Sequence, residues 1–258
     1  MEGILGVKLN NISREEALKK VVGFIGYRKG EVKSVYFLNM DCLFKAQKDE
    51  RYRSILNRAD MVLSDGIGLK VVMQLFNKKL HDNCNGTDFS PLIFSVAEKN
   101  QYRIFLLGGK EGVAETAAMT LKKKFPNLCI CGVHHGYDVM DDVLVERINR
   151  SQADILFVGM GAPVQEKWID NNKGRLNVRL SIGVGGLFDY WAGNIIRAPY
   201  FIRLLKLEWL WRVLMEPKRL WKRYFVDGLY FLLTLLVNHK ELKKVAHFAE
   251  ESAESLKN

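Results

Sequence analysis

Cysteine is sparse in this sequence, with Cys42, Cys84, Cys129 and Cys131 the only four in 258 residues. No secretory start accompanies them, because MEGILGVKLN lacks a basic stretch followed by an apolar core, so a reducing cytoplasm is the expected compartment. Cys129 and Cys131 alternate within LCICGV on one strand face and read as core, since no further Cys or His pair completes a zinc site. His134 and His135, just before Gly136, read as a solvated loop. No two aspartates stand one residue apart at a strand end, and Asp141 and Asp142 are adjacent at a helix start, so no metal site is evident. The apolar run Leu229–Val237 is too short to span about 30 Å of hydrocarbon. Internal repeats and low-complexity segments are also missing.

What is present is enough apolar material for a sizeable core, at 48% hydrophobic residues. Lys and Arg number 39 against 29 Asp and Glu, a net charge of +10. Such an excess suits nucleic acid, an anionic membrane face or a phosphorylated substrate, and its location has to decide among them. From Arg197 to Arg223, eight Lys or Arg stand against Glu208 and Glu216, interleaved with Trp209, Trp211 and Trp221. Cations beside tryptophans on amphipathic helices fit a membrane interface or a diphosphate. The same stripes also fit helices that close the chain's own core. Nucleic-acid modules spread their cations along a polar groove, so nucleic acid is not an expected partner.

The pattern along the chain is α/β. SREE at Ser13–Glu16 forms a capping box that opens a helix to about Gly26. Strands are predicted at about 34–39, 60–64, 103–107, 128–133, 154–158 and 179–184, alternating with helices at about 111–124, 140–151 and 163–173. GTDFS leads into a helix PLIFSVAEK with Thr87 or Asp88 as its cap. This alternation predicts a largely parallel sheet with helices on both faces, Rossmann-like, over residues 1–198. Residues 199–258 form a basic, tryptophan-rich helical appendage broken near Pro217.

Several strand ends run into glycines, and in an open parallel sheet such turns converge on one ligand crevice. GVGGLFDYWAGNIIRAP, Gly183–Pro199, joins a flexible turn to Asp189, an acceptor for a base or ribose, and to Arg197, a donor fork for an anion. Gly108 and Gly109 follow RIFLL, and Gly161 follows DILFV; either a diphosphate or a plain tight turn accounts for them. Asp65 stands at a strand end with Gly66 and Gly68 clearing space around it, as a general base or as a helix cap. Gln165 reads as a substrate-orienting amide or as a solvated first-turn residue.

These motifs together resemble the WecG/TagA/CpsF glycosyltransferases, family 26. The residues that carry the likeness are DGIG at Asp65–Gly68, GTD at Gly86–Asp88, LLGG at Leu106–Gly109, GAPVQEKW at Gly161–Trp168, GVGGLFDYWAG at Gly183–Gly193, RAP at Arg197–Pro199 and LEWLWRVLMEPKRLWKRY at Leu207–Tyr224. The resemblance implies a GT-E-type core and an inverting, metal-independent hexosyltransferase without a cofactor. Its donor is a UDP-sugar and its acceptor a polyprenyl-diphosphate-linked sugar in bacterial cell-surface polysaccharide synthesis. It implies Asp65, Gln165, Asn39, Arg212 and Arg219 as catalytic residues, with Lys222 or Arg223 as a further basic position. It implies Gly66, Gly108, Gly109, Gly161, Glu166, Gly185, Gly186 and Asp189 as donor contacts. An appendage that closes over the site, peripheral attachment to the inner face of the plasma membrane and, as one option, a homo-oligomer complete the expectation. Two positions depart from the pattern: Phe37 stands where a threonine is usual, and Asn83 where an arginine is. They leave room for a second reading, a UDP-sugar-binding membrane adaptor with altered catalysis.

Overall fold

The computed structural model describes residues 2–26, 31–137, 140–205 and 207–237, except for the side chains of residues 2 and 219. A short antiparallel hairpin, β1 (Glu2–Ile4) and β2 (Val7–Leu9), precedes helix α1 (Arg14–Ile25). Ser13 and Glu16 make both bonds of the expected capping box. The chain then runs through β3 (Lys33–Leu38), α2 (Met40–Lys48), α3 (Glu50–Arg58), β4 (Met61–Ser64), α4 (Ile67–Leu75), α5 (Gly86–Lys99), β5 (Ile104–Gly108) and α6 (Val113–Lys124). It continues with β6 (Ile130–His134), α7 (Asp141–Arg150), β7 (Ile155–Gly159), α8 (Val164–Asn172), β8 (Leu180–Gly183) and α9 (Leu187–Trp191).

Strands β3 to β8 form one six-stranded sheet in the order β4-β3-β8-β7-β5-β6, and every neighbouring pair is parallel. Successive strand side chains point to opposite faces, and the core divides accordingly. Val35 and Phe37 of β3, with Ile155 and Phe157 of β7, join the layer under α1, α5, α6 and α9. Tyr36, Leu38, Leu156 and Val158 join the other, under α2, α3, α4, α7 and α8. Burial on both faces explains why these strands read as continuous apolar runs. The connection from β5 runs to one side, to β6, and that from β7 to the other, to β8, so the chain switches direction between β5 and β7. The crevice above the carboxyl ends of these strands is where such a sheet takes a ligand.

The cap of α5 differs from the expectation. Asn85 caps the helix, its side chain accepting from Asp88 N–H, and the helix takes in GTDFS and Pro91 as well. Thr87 and Asp88 lie inside its first turn, which frees the Asp88 carboxylate for another partner.

The segment after Pro199 is helical, as α10 (Tyr200–Leu204), α11 (Glu208–Met215), α12 (Pro217–Trp221), a π-helical stretch Lys222–Gly228 and α13 (Leu229–Val237). Pro217 begins α12 at a first-turn position, where its missing N–H costs nothing. These helices are not an appendage hung on a finished domain. Phe231 and Leu235 are buried in the main core, and the Phe231 ring lies 5.2 Å from that of Phe44. A boundary at residue 198 therefore cuts through packing. The polar tail from residue 238 lies outside the described residues.

Candidate active site

Five strand ends build one rim: Asn39 after β3, Asp65 after β4, Gly109 after β5, Gly161 after β7 and Gly185 after β8. Asp65 is anchored by its own N–H, which donates to Leu38 O at 2.9 Å across the β3–β4 edge. It is not the helix cap, since Gly66, at φ +88°, occupies that position and donates its N–H to Asn83 Oδ1 at 2.8 Å. Burial pushes the Asp65 carboxyl above its ordinary value, against the opposing influence of Arg212, a hydrogen bond from Asn39, and Arg223. A half-buried carboxylate within the field of two arginines is a poised proton acceptor.

Asn39 works twice. Its Oδ1 caps α2 by accepting from Cys42 N–H at 2.9 Å, and its amide faces Asp65. Arg223, from the π-helical stretch, reaches Asn39 Oδ1 at 3.4 Å and the Asp41 carboxylate at 3.2 Å. Arg212, on α11, lies over the Tyr190 ring at 5.1 Å from its centroid. The C-terminal helices thus deliver two cations to the Asp65 end of the rim. Arg219 lies on α12, but its side chain falls outside the described residues.

Gln165 is not a solvated first-turn residue. It is only 4% exposed, and its Oε1 accepts from Gly185 N–H at 2.8 Å and from Gly161 N–H at 3.2 Å. Its Nε2 donates to Glu166 Oε1 at 2.8 Å. Its oxygen holds two glycine turns together, and one of its two N–H groups is committed to Glu166. Glu166, implied as a donor contact, is 1% exposed and lies beneath the rim. Burial raises its carboxyl to about 7, opposed by the bond from Gln165, and its Oε2 has no hydrogen-bond partner.

The glycines also divide. A Cβ on Gly108 would stand 2.5 Å from the Gly159 backbone, so that position is glycine because β5 and β7 turns approach so closely. Gly109 N–H donates to Gly159 O at 3.0 Å. The amides of Gly66, Gly109, Gly161 and Gly185 all donate to protein acceptors. Gly186 is exposed at the start of α9. Asp189, half-buried on α9, accepts from Asn194 Nδ2 at 3.3 Å, and its charge helps to raise the Tyr137 phenol, after burial as the larger cause. Helix α9 thus spans the rim, with Asp189 toward the β6 side and Tyr190 toward Asp65.

Arg197 is not a free fork either. It pairs with Asp88 at 2.6 Å and Glu208 at 3.3 Å, clasping α5 to α11. Phe37, at the departing position, is packed edge-on against Phe89 and fills space beside Gly86. Asn83 substitutes a neutral acceptor, bound to Gly66, for a cation. His134 and His135 are half-buried and stacked, and Cys129 and Cys131 are half-buried at the edge strand, less enclosed than expected. Asp141 accepts from Trp168 Nε1 at 2.8 Å and so fixes α8. Sequence reading gave no role to Tyr190, Asp41 or Glu208; the available signals were that Tyr190 adjoins Asp189, that Asp41 lies two residues after Asn39 and that Glu208 stands inside the LEWLWRV motif.

The model of the glycosyl transferase WecG/TagA/CpsF family matches residues 3–245. The chain is 37% identical to an N-acetylglucosaminyldiphosphoundecaprenol N-acetyl-beta-D-mannosaminyltransferase of Bacillus subtilis (strain 168), over 80% of each chain. It is 31% identical to the protein so named in Staphylococcus aureus (strain MW2), over 84% of this chain and 85% of the relative. In strain MRSA252 the identity is 30% over the same shares.

Proposed function

This chain belongs to the glycosyl transferase WecG/TagA/CpsF family, and from that premise we propose that it moves an N-acetylhexosamine from a UDP-sugar onto a polyprenyl-diphosphate-linked sugar, with inversion. The observation that carries the reading is Asp65, a carboxylate held above its ordinary value at a strand end with Arg212 and Arg223 beside it. Asp65 takes the proton of the acceptor hydroxyl as that oxygen attacks the anomeric carbon. Arg212 and Arg223 hold the negative charge that grows on the departing UDP, the part a divalent ion plays elsewhere. Asn39 orients the Asp65 carboxylate. Asp189 and the exposed turn at Gly186 suit the nucleotide end, and α9 joins the two ends.

The acceptor's lipid places the reaction at a membrane surface. No helix among the described residues is long and apolar enough to cross a membrane. Attachment is peripheral in this reading, through the exposed side chains of Phe201, Leu204, Trp221, Leu233 and Leu236 and the neighbouring cations. N-acetylmannosamine is the first donor sugar to try, since the relatives' names specify it.

The test is a panel of UDP-sugars, including UDP-N-acetylmannosamine, incubated with a short-chain lipid-diphosphate N-acetylglucosamine, with UDP release and product mass as readouts. Transfer is expected, and it should persist in excess EDTA. Donor binding without transfer to any acceptor would favour the adaptor reading, for which the neutral Asn83 is the supporting departure.

A further inference from the structure

We infer that Asp41 is a positioning residue: it latches Arg223, and with it the π-helical stretch Lys222–Gly228, onto the active-site rim. The inference rests on the function proposed above. Asp41 is the second residue of α2, two positions beyond Asn39, and its side chain is 13% exposed. Its Oδ2 stands 3.2 Å from Arg223 Nε and 2.9 Å from Lys45 Nζ. Lys45 in turn donates to Ala162 O at 2.9 Å, in the turn after β7. One carboxylate therefore ties three parts of the rim: α2, the turn that carries Gly161, and the C-terminal helices.

The packing around it is built for close approach. Met40, its neighbour, is gripped between two glycines, since a Cβ on Gly68 would lie 3.0 Å from Met40 Cβ and one on Gly228 3.0 Å from Met40 Cε. Gly228 eases the close approach of the π-helical stretch, since a Cβ there would also stand 3.1 Å from Arg223 O. Arg223 Nε meets Asp41 as an ion pair, its N–H buried without hydrogen-bond geometry, while Nη2 donates to Asn39 Oδ1 at 3.4 Å. An arginine without that tether would lose orientation while keeping its charge, and misplacement of a charged group by about 1 Å costs on the order of 100-fold in rate. Asp41 acts through Arg223, the group assigned to the departing UDP, rather than on the substrate itself.

The experiment combines turnover with hydrogen exchange in Asp41→Asn, Asp41→Glu, Arg223→Ala and the double variant Asp41→Asn/Arg223→Ala. Asp41→Asn should lower kcat about tenfold or more with the donor KM within about twofold, and add nothing further once Arg223 is alanine. Asp41→Glu, which retains the charge, should recover part of the loss. Amides of 222–228 should exchange faster in Asp41→Asn than in wild type, whatever the activity. An equal loss in both Arg223 backgrounds, unchanged turnover, or unchanged exchange would each overturn the inference. So would loss of the folded state in both Asp41 variants, because a latch on the rim is not required to complete the core. A wild type inactive with every donor counts against the proposed function alone, and the exchange comparison then decides the latch.

Discussion

Asp65 and Glu166 are both carboxylates pushed upward by burial, yet they serve different ends. Asp65 faces the rim and its arginines; Glu166 faces the core and the Gln165 amide. Replacement of Asp65 by asparagine should keep the fold and UDP binding and lower turnover about 100-fold or more, the usual worth of a general base. The check is kcat beside a thermal melt; near-wild-type turnover moves the base elsewhere. Since the base must be ionised, kcat/KM should fall on the acidic side at a pH above the ordinary aspartate range. Glu166 makes a prediction about stability with the opposite sign to a salt-bridged carboxylate. Its folded value of about 7 lies above the unfolded one, so the folded state binds more protons between the two. Stability is then fullest at the low end and declines as pH rises from about 4.5 to about 7, by at most on the order of 3 kcal/mol. Denaturant midpoints across that window should fall in wild type and stay flatter in Glu166→Gln.

At the scale of elements, glycine turns are held by side chains. Gln165 joins the turns after β7 and β8, so Gln165→Ala strands two backbone N–H groups and one carboxylate oxygen. Each unsatisfied buried group costs about 1–3 kcal/mol. The variant should lose at least about 3 kcal/mol in chemical denaturation and lose turnover by loosening the rim; an unchanged denaturation midpoint would show that the clasp is not structural. Such clasps mark where sequence reading stopped. Strand and helix positions were legible because apolar runs of four to six residues alternate with 3.6-period segments, and the SREE box announced α1 outright. The C-terminal edge as the site was legible from the glycines that end β5, β7 and β8. What each glycine does was not, because a turn that binds phosphate and a turn that packs against its neighbour use the same residue. Gly108 is glycine for the Gly159 backbone, and nothing local to LLGG says so. Asn85 escaped notice as the α5 cap for a similar reason: Thr87 and Asp88 are equally good caps, and the choice is made by the ion pair of Asp88 with Arg197, distant in sequence.

On the scale of the whole molecule, the helices after Pro199 have two faces with different duties. The inner face supplies Phe231 and Leu235 to the core and brings Arg212 and Arg223 to Asp65. The outer face leaves Leu229, Leu233 and Leu236 each more than half exposed, with the Trp221 ring tilted against that of Phe225 nearby. Deleting everything after residue 198 therefore does not isolate an anchor. It uncovers the surface under Phe231 and Leu235, worth about 1.5–3 kcal/mol for each side chain, and should yield a destabilised protein. Leu232, half-buried against the core, is likewise a poor choice for separating the duties. The informative variant replaces Leu233 and Leu236 by serine and Trp221 by glutamine. It should melt within a few degrees of wild type and transfer sugar normally to a water-soluble acceptor analogue. In sedimentation with anionic vesicles its binding should drop about tenfold or more, since each exposed apolar side chain lost from the interface removes part of the buried area that holds an interfacial helix. Vesicle binding equal to wild type would mean that the outer face meets something other than lipid, and the site of attachment would have to be sought among the cations instead.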